Sequence, residues 1–185
     1  METVFMEDGY FYHIYNRGNN RELIFIEPTN YGYFLRLIKK YITPVADIYA
    51  YCLLGNHFHL LIKGKRNAIS IEQHFSNLFN AYAKAFNKMY NRSGKLFSER
   101  FKKKKIIDEQ YLTAIIYYIH SNPQKHELIA DFRKYKYSSY KAMLSTAETG
   151  LQRAEVLEWF GGRELFKEYH NDEYLRLHEH LTFQD

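Results

Sequence analysis

The feature that most constrains this chain is a hairpin. Residues 47–54 read DIYAYCLL, residues 57–63 read HFHLLIK, and only Gly55 and Asn56 separate them. Two β-branched and aromatic runs joined by a Gly-Asn break predict an antiparallel pair. Strand side chains alternate, so the pair also assigns each of its residues to one of two faces.

The flanking segments supply partners for that pair. Residues 10–15, YFYHIY, read as a strand that runs into the turn Asn16-Arg17-Gly18. A short apolar run at 23–26 ends at Pro28. Thr29, with Asn30 as the competing choice, can cap a helix in which Tyr33, Leu35, Leu37, Ile38, Tyr41 and Ile42 recur at helical spacing. Residues 70–90 form a long amphipathic helix with Ile71, His74, Phe75, Leu78, Tyr82, Ala85, Phe86 and Met89 on one side, ended by 91–94. Residues 101–107 are a lysine-rich strand. Asp108 caps a further helix that Pro123 is expected to stop at Asn122. Strand, helix, strand, strand, helix, strand, helix is an α+β order, close to the split βαβ pattern of a ferredoxin-like sandwich with an antiparallel central sheet. Beyond Pro123, helices are expected at 138–144, 153–160 and from 163 to about 180. They form a helical C-terminal extension (131–185) on a main domain (1–130).

Composition sets outer limits. The 185 residues carry 26 Lys+Arg against 21 Asp+Glu, a formal charge of +5. Cys52 is the only cysteine, which excludes an intrachain disulfide and a multi-thiolate zinc site. No apolar run approaches the roughly 20 residues of a membrane helix. The N-terminal stretch, with Glu2, Glu7 and Asp8, does not read as a signal peptide. A soluble, cytoplasmic protein is expected. Aromatic residues reach 18%, with 18 Tyr and 14 Phe, which suits either a tyrosine-rich core or a surface that stacks bases.

His57 and His59 flank Phe58, so on a strand both imidazoles share one face and Phe58 takes the other. Two neighbouring imidazoles can hold a divalent metal that binds phosphate and acts as a Lewis acid. The same spacing also occurs in strands that merely carry two histidines. Leu61 stands where a histidine triad would need its third member, and no H-E-x-x-H helix motif is present. Tyr118 and Asn122 are four residues apart on a helix, hence on one face. The amide oxygen of Asn122 is a hard ligand that could complete a His, His, Asn site, and the phenol of Tyr118 could attack phosphorus. Tyr117 and Tyr118 can equally be core aromatics, and Asn122 a helix cap.

The segments YHIYNRG (12–18), GNHFHLLI (55–62), GKLFSERF (94–101), YIHSNP (118–123) and KYSSY (136–140) together resemble the HUH single-tyrosine transposases, in particular the REP-associated tyrosine transposase branch. The resemblance spans residues 10–165 in the right order. It implies a ferredoxin-like catalytic domain (1–130) with His57, His59 and Asn122 as ligands of Mg²⁺ or Mn²⁺. It implies Tyr118 as the nucleophile that cuts single-stranded DNA, leaving a 5′-phosphotyrosine and a free 3′-hydroxyl. Asparagine rather than glutamine at 122 favours the REP-associated branch. Gly55 stands where such motifs frequently have proline. The partner implied is single-stranded DNA, including hairpin-forming repeats, in the bacterial cytoplasm at the nucleoid. A homodimer and a monomer both remain open.

Candidate phosphate contacts are Arg17, Asn19, Asn20 and Arg21 after the first strand, Arg100, Lys102 and Lys104 at the lysine-rich strand, and Lys136. Alternate lysines of the 102–105 run face opposite sides, and such a run also serves to discourage edge pairing. Two other functions compete with strand transfer: a non-catalytic nucleic-acid-binding module on the sheet, and a phosphodiesterase acting on RNA.

Overall fold

A computed structural model describes residues 5–68 and 70–171. Its elements run β1 (Phe11–Arg17), α1 (Pro28–Tyr41), β2 (Ala46–Leu53), β3 (His57–Gly64), α2 (Ile71–Met89), β4 (Lys102–Ile106), α3 (Leu112–Lys125), α4 (Tyr140–Leu144), α5 (Arg153–Trp159) and α6 (Arg163–Tyr169). The strands form a 4-stranded antiparallel sheet in the order β2-β3-β1-β4. This is the ferredoxin-like α+β arrangement expected from the sequence.

The two faces of the sheet carry different loads. Tyr12 and Ile14 of β1, with Phe58, Leu60 and Ile62 of β3, pack against α1 and α2. Phe11, Leu61 and Ile106 face the other way, onto α3 and the helices that follow it. Each large side chain removed from water here contributes about 1.5–3 kcal/mol. α3 lies over β2 and β3.

β2 departs from a simple alternation. Its pairing with β3 shifts between Ile48 and Ala50, so Tyr49 and Ala50 both face α3 and Cys52 follows them. Such a bulge re-aims the rest of the strand. The outer edge of β2 is covered by residues 137–139, with bridges from Cys52 to Ser138 and from Ile48 to Leu151.

Several helix boundaries differ from expectation. α1 begins at Pro28, whose fixed φ suits a first helical position, so Thr29 lies inside the first turn. The N-cap is Glu27, neither Thr29 nor Asn30; Asn30, at the third helical position, closes a capping box with it, its Oδ1 accepting from the N–H groups of Ile26 and Glu27 at 2.9 and 3.1 Å. Asp108 caps a short 3-10 turn over Glu109–Tyr111, through a 2.9 Å bond from Gln110 N–H, and α3 starts only at Leu112. α3 does not stop at Pro123 but runs to Lys125. Proline removes one N–H, and the burial of Ile115, Ile116, Ile119 and Pro123 itself holds the helix together past that gap. The expected helix from 163 to about 180 is shorter: α6 ends at Tyr169, with His170 as its C-cap and Asn171 in a turn, and residues 172–180 lie outside the described residues. No helix of the described residues is long and apolar enough to cross a membrane.

Candidate active site

Strand parity puts His57 and His59 on the α3 face of β3, with Phe58 buried on the opposite face. β1 runs beside β3 in antiparallel register, with Tyr15 opposite His59 and Arg17 opposite His57. The same parity brings His13 to this face. His13 Nε2 lies 3.0 Å from His59 Nδ1, with the rings stacked at 5.2 Å. Both are buried, at 2% and 1% exposure. Burial, and then the charges of His13, His57, His126 and Lys125, hold His59 well below the ordinary histidine range. It is therefore a neutral imidazole.

α3 closes the site from above. Tyr118 and Asn122, one turn apart, both face the histidines. Asn122 Oδ1 is 3.5 Å from His57 Nε2, and Asn122 Nδ2 donates to the Tyr118 carbonyl at 3.4 Å, which aims the oxygen outward. His57 Nδ1 is held from the other side by Asn56 Oδ1 at 2.6 Å. The Tyr118 ring stands edge-on to His59 at 5.7 Å and to His13 at 5.9 Å. The continuation of α3 past Pro123 matters here. It carries Lys125 back over the Tyr118 ring, Nζ to centroid 4.9 Å, and sets His126 against His57, centroids 4.7 Å apart.

Of these groups Asn56, His57, His59 and His126 line an open cleft of about 560 Å³, while Tyr118 and Asn122, at 5% and 0% exposure, pack against the histidines without lining it. Arg17, Arg21, Arg100 and Lys102 line it, with Tyr15 beneath Lys102 at 5.9 Å. The turn that bears Arg21 is tightly built: a side chain at Gly18 would collide with the Glu22 carbonyl oxygen. Asn19 and Asn20 sit on that turn but do not line the cleft, nor does Lys104, which lies opposite His13 on β4. Lys136 is set apart, at the outer edge of β2 over the Tyr137 ring. Lys103 and Lys105 point to the other face, paired with Glu72 and Glu7. Gly55 accepts the N–H groups of Ile24 and Phe25 at 2.8 and 2.9 Å, and so fixes the hairpin turn that leads into His57.

Reading the sequence alone singled out neither His13, Lys125 nor His126. His13 was reachable, because it alternates with Tyr15 in a strand next to a histidine strand. Lys125 and His126 were hidden behind the expectation that Pro123 ends the helix.

The donor set can be tested against a divalent cation. Among the described residues no group of three His, Cys, Asp or Glu has metal-holding geometry. A site here therefore needs an amide. His57 Nε2 and Asn122 Oδ1 are 3.5 Å apart, within the roughly 3–4 Å that adjacent ligands of one hard cation span. His59 follows on the same face, its rings 5.3 Å from those of His57. Two imidazoles and a carboxamide fit a cation whose other positions are filled by water and phosphate oxygens.

No protein-family model and no curated protein matches the chain. Among solved structures it is similar to a REP-associated tyrosine transposase bound to a REP hairpin, with a TM-score of 0.61 and 18% identity over 79% of this chain and 85% of that one. It is also similar to a candidate transposase from Deinococcus radiodurans R1, with a TM-score of 0.44 and 15% identity over 64% of this chain and 95% of that one. The likeness to the first is one of fold, and that fold is the one implied by the family to which the sequence motifs are similar.

Proposed function

We propose that this chain is a metal-dependent endonuclease and strand transferase for single-stranded DNA, a transposase of the HUH single-tyrosine type. One observation carries the reading: His57 and His59 line a basic cleft, and Asn122 and Tyr118, distant from them in sequence, pack directly against these two imidazoles from α3.

His57 and His59 through ring nitrogens, and Asn122 through Oδ1, are the groups that would hold the cation. When bound, such an ion polarises the scissile phosphate and neutralises charge that develops on it. His13 has a supporting role. With His59 Nδ1 engaged by His13, we assign ligation to Nε2, and the imidazole is held in one orientation. Tyr118 supplies the nucleophile. A phenol ordinarily titrates near 10, so its oxygen needs help to shed its proton; the Lys125 ammonium stands over the ring. The oxygen bonds to phosphorus as the bond from phosphorus to the 3′ oxygen breaks. The departing oxygen keeps the electron pair and takes a proton, leaving a 3′-hydroxyl and a 5′-phosphotyrosine. Attack by a 3′-hydroxyl reverses the step and restores the phenol. One phosphodiester is exchanged for another each time, so no nucleotide cofactor is required.

Arg17, Arg21, Arg100 and Lys102 neutralise backbone phosphates along the cleft, and Asn19, Asn20 and Lys104 extend the track. Lys136 stands outside it. The substrate proposed is single-stranded DNA next to a hairpin, by analogy with the REP hairpin held by the similar transposase. The test is a denaturing gel after incubation with a labelled hairpin oligonucleotide carrying a single-stranded tail. A protein–DNA adduct should form with Mn²⁺ and vanish with chelator. Binding that ignores the chelator, with no adduct and no cleavage, would support a non-catalytic binding module instead.

A further inference from the structure

A second histidine pair lies behind α3, away from the cleft. His120 and His170 are fully buried, as is Ser139. Tyr51 N–H reaches Ser139 Oγ at 2.9 Å, Ser139 Oγ meets His120 Nε2 at 2.7 Å, His120 Nδ1 meets His170 Nε2 at 3.0 Å, and His170 Nδ1 meets the Phe166 carbonyl at 2.8 Å. The hydrogens in this chain can be assigned by elimination. A carbonyl only accepts, so His170 Nδ1 carries a hydrogen. A neutral His170 then has a bare Nε2, which accepts from His120 Nδ1–H. His120 Nε2 accepts in turn and takes the Ser139 hydroxyl hydrogen. Every donor and acceptor is used with both rings neutral. Burial holds both imidazoles below the ordinary histidine range.

A serine, a histidine and a third orienting group can suggest a nucleophile. Ser139 is excluded from that role, because no part of it is exposed and its oxygen is enclosed beside the Tyr51 backbone. What the chain does is mechanical. It links β2, α3 and α6, and it grips α3 at His120, two residues from Tyr118 and two from Asn122. On a helix two residues is more than half a turn, so His120 pulls from the side opposite the site. The apolar contacts of Ile115, Ile116 and Ile119 tolerate small rotations of α3, whereas a saturated hydrogen-bond chain accepts only one register.

We propose that His120 and His170 are positioning residues: through them the C-terminal α6 sets the rotation of α3 and thereby the placement of Tyr118 and Asn122 against His57 and His59. As a statement about catalysis this rests on the strand-transfer reading above; as a statement about α3 it does not.

The experiment uses the full chain, with His170→Phe, His170→Gln and Ser139→Ala. Phenylalanine fills the space, already jacketed by Phe166 at 4.1 Å and Phe160 at 5.5 Å, but leaves His120 Nδ1–H without its acceptor. At saturating oligonucleotide the Phe variant should form the adduct roughly 10- to 100-fold more slowly, the penalty of a nucleophile displaced by a fraction of its working distance. DNA affinity should stay within about threefold, since the cleft cations are untouched. Glutamine, which can both accept and donate, should recover most of the rate. Amide exchange of residues 118–122 should speed up in the Phe variant while β1 and β3 keep their protection. An unchanged adduct rate in a folded Phe variant, or unchanged exchange in α3, overturns the proposal. If the Phe variant does not fold, Ser139→Ala decides: it must slow the adduct and loosen α3 in the same direction, and failure to do so overturns the proposal as well. If wild type itself forms no adduct, the strand-transfer reading fails, and the claim about α3 is decided by exchange alone.

Discussion

At the scale of single residues, the site divides labour between side chains that would touch the phosphate and those that aim them. Asn122→Ala removes an oxygen that faces His57, and His13→Phe removes the group that engages His59 Nδ1. Both should raise the Mn²⁺ concentration needed for half-maximal adduct by roughly 10- to 100-fold, the range found when ligands or their supporting partners are lost. A titration of wild type and both variants measures this, and an unshifted requirement in Asn122→Ala would remove that residue from the ligand set. The cleft arginines act differently. Arg17→Ala or Arg100→Ala should weaken binding of every sequence alike. Each should also lower the slope of log affinity against log salt by about 0.7 per lost phosphate contact. Anisotropy at several salt concentrations reads the slope; a change in sequence preference instead would make them base readers.

At the scale of elements, the alternation of β3 separates chemistry from stability. Phe58 is fully buried among Phe34, Phe79 and Phe97 on the α1 and α2 side, while His57 is half-buried on the α3 side. Phe58→Ala should cost about 3–5 kcal/mol of stability by denaturant unfolding. His57→Ala should cost well under half of that and abolish the adduct. Equal losses of stability would mean that the strand does not sort its faces in this way. This sorting is also why the sheet, its hairpin and the histidine face were legible in the sequence: period-two alternation is local, and each strand announces it. The bulge at Tyr49 was not legible, because it is set by the fit of β2 to α3 and to β3. Nor was the passage of α3 through Pro123, since tertiary burial outweighed a local breaker. With that passage missed, Lys125 and His126 were missed too.

At the scale of the whole molecule, the buried histidines make folding depend on pH. An unfolded histidine titrates near 6.5, while His170 in the folded chain is pushed down to about 4 by burial, and His120 is also lowered by burial and by His170. Between those values the unfolded chain binds more protons than the folded one, so stability rises with pH and is lost as pH falls below 6.5. Each such histidine contributes a slope of at most about 1.4 kcal/mol per pH unit in that window. Urea unfolding at pH 7, 6 and 5 should show the decline, and His170→Gln should flatten it; a slope unchanged by that substitution would mean that other groups carry it. The pairing behind this effect joins residues 50 positions apart and could not be read from spacing. The reach of the C-terminal helices into the core beside the sheet was likewise visible only once the chain was folded.

The central claim is that Tyr118 forms a covalent bond with the 5′ phosphate of a cut strand. Peptide mass spectrometry of the nuclease-trimmed adduct tests it most directly. The account predicts a nucleotide attached to Tyr118, a released strand ending in a 3′-hydroxyl, and no adduct from Tyr118→Phe. A nucleotide on Tyr117 or any other residue, or cleavage that leaves a free 5′ phosphate with no protein attached, would contradict it.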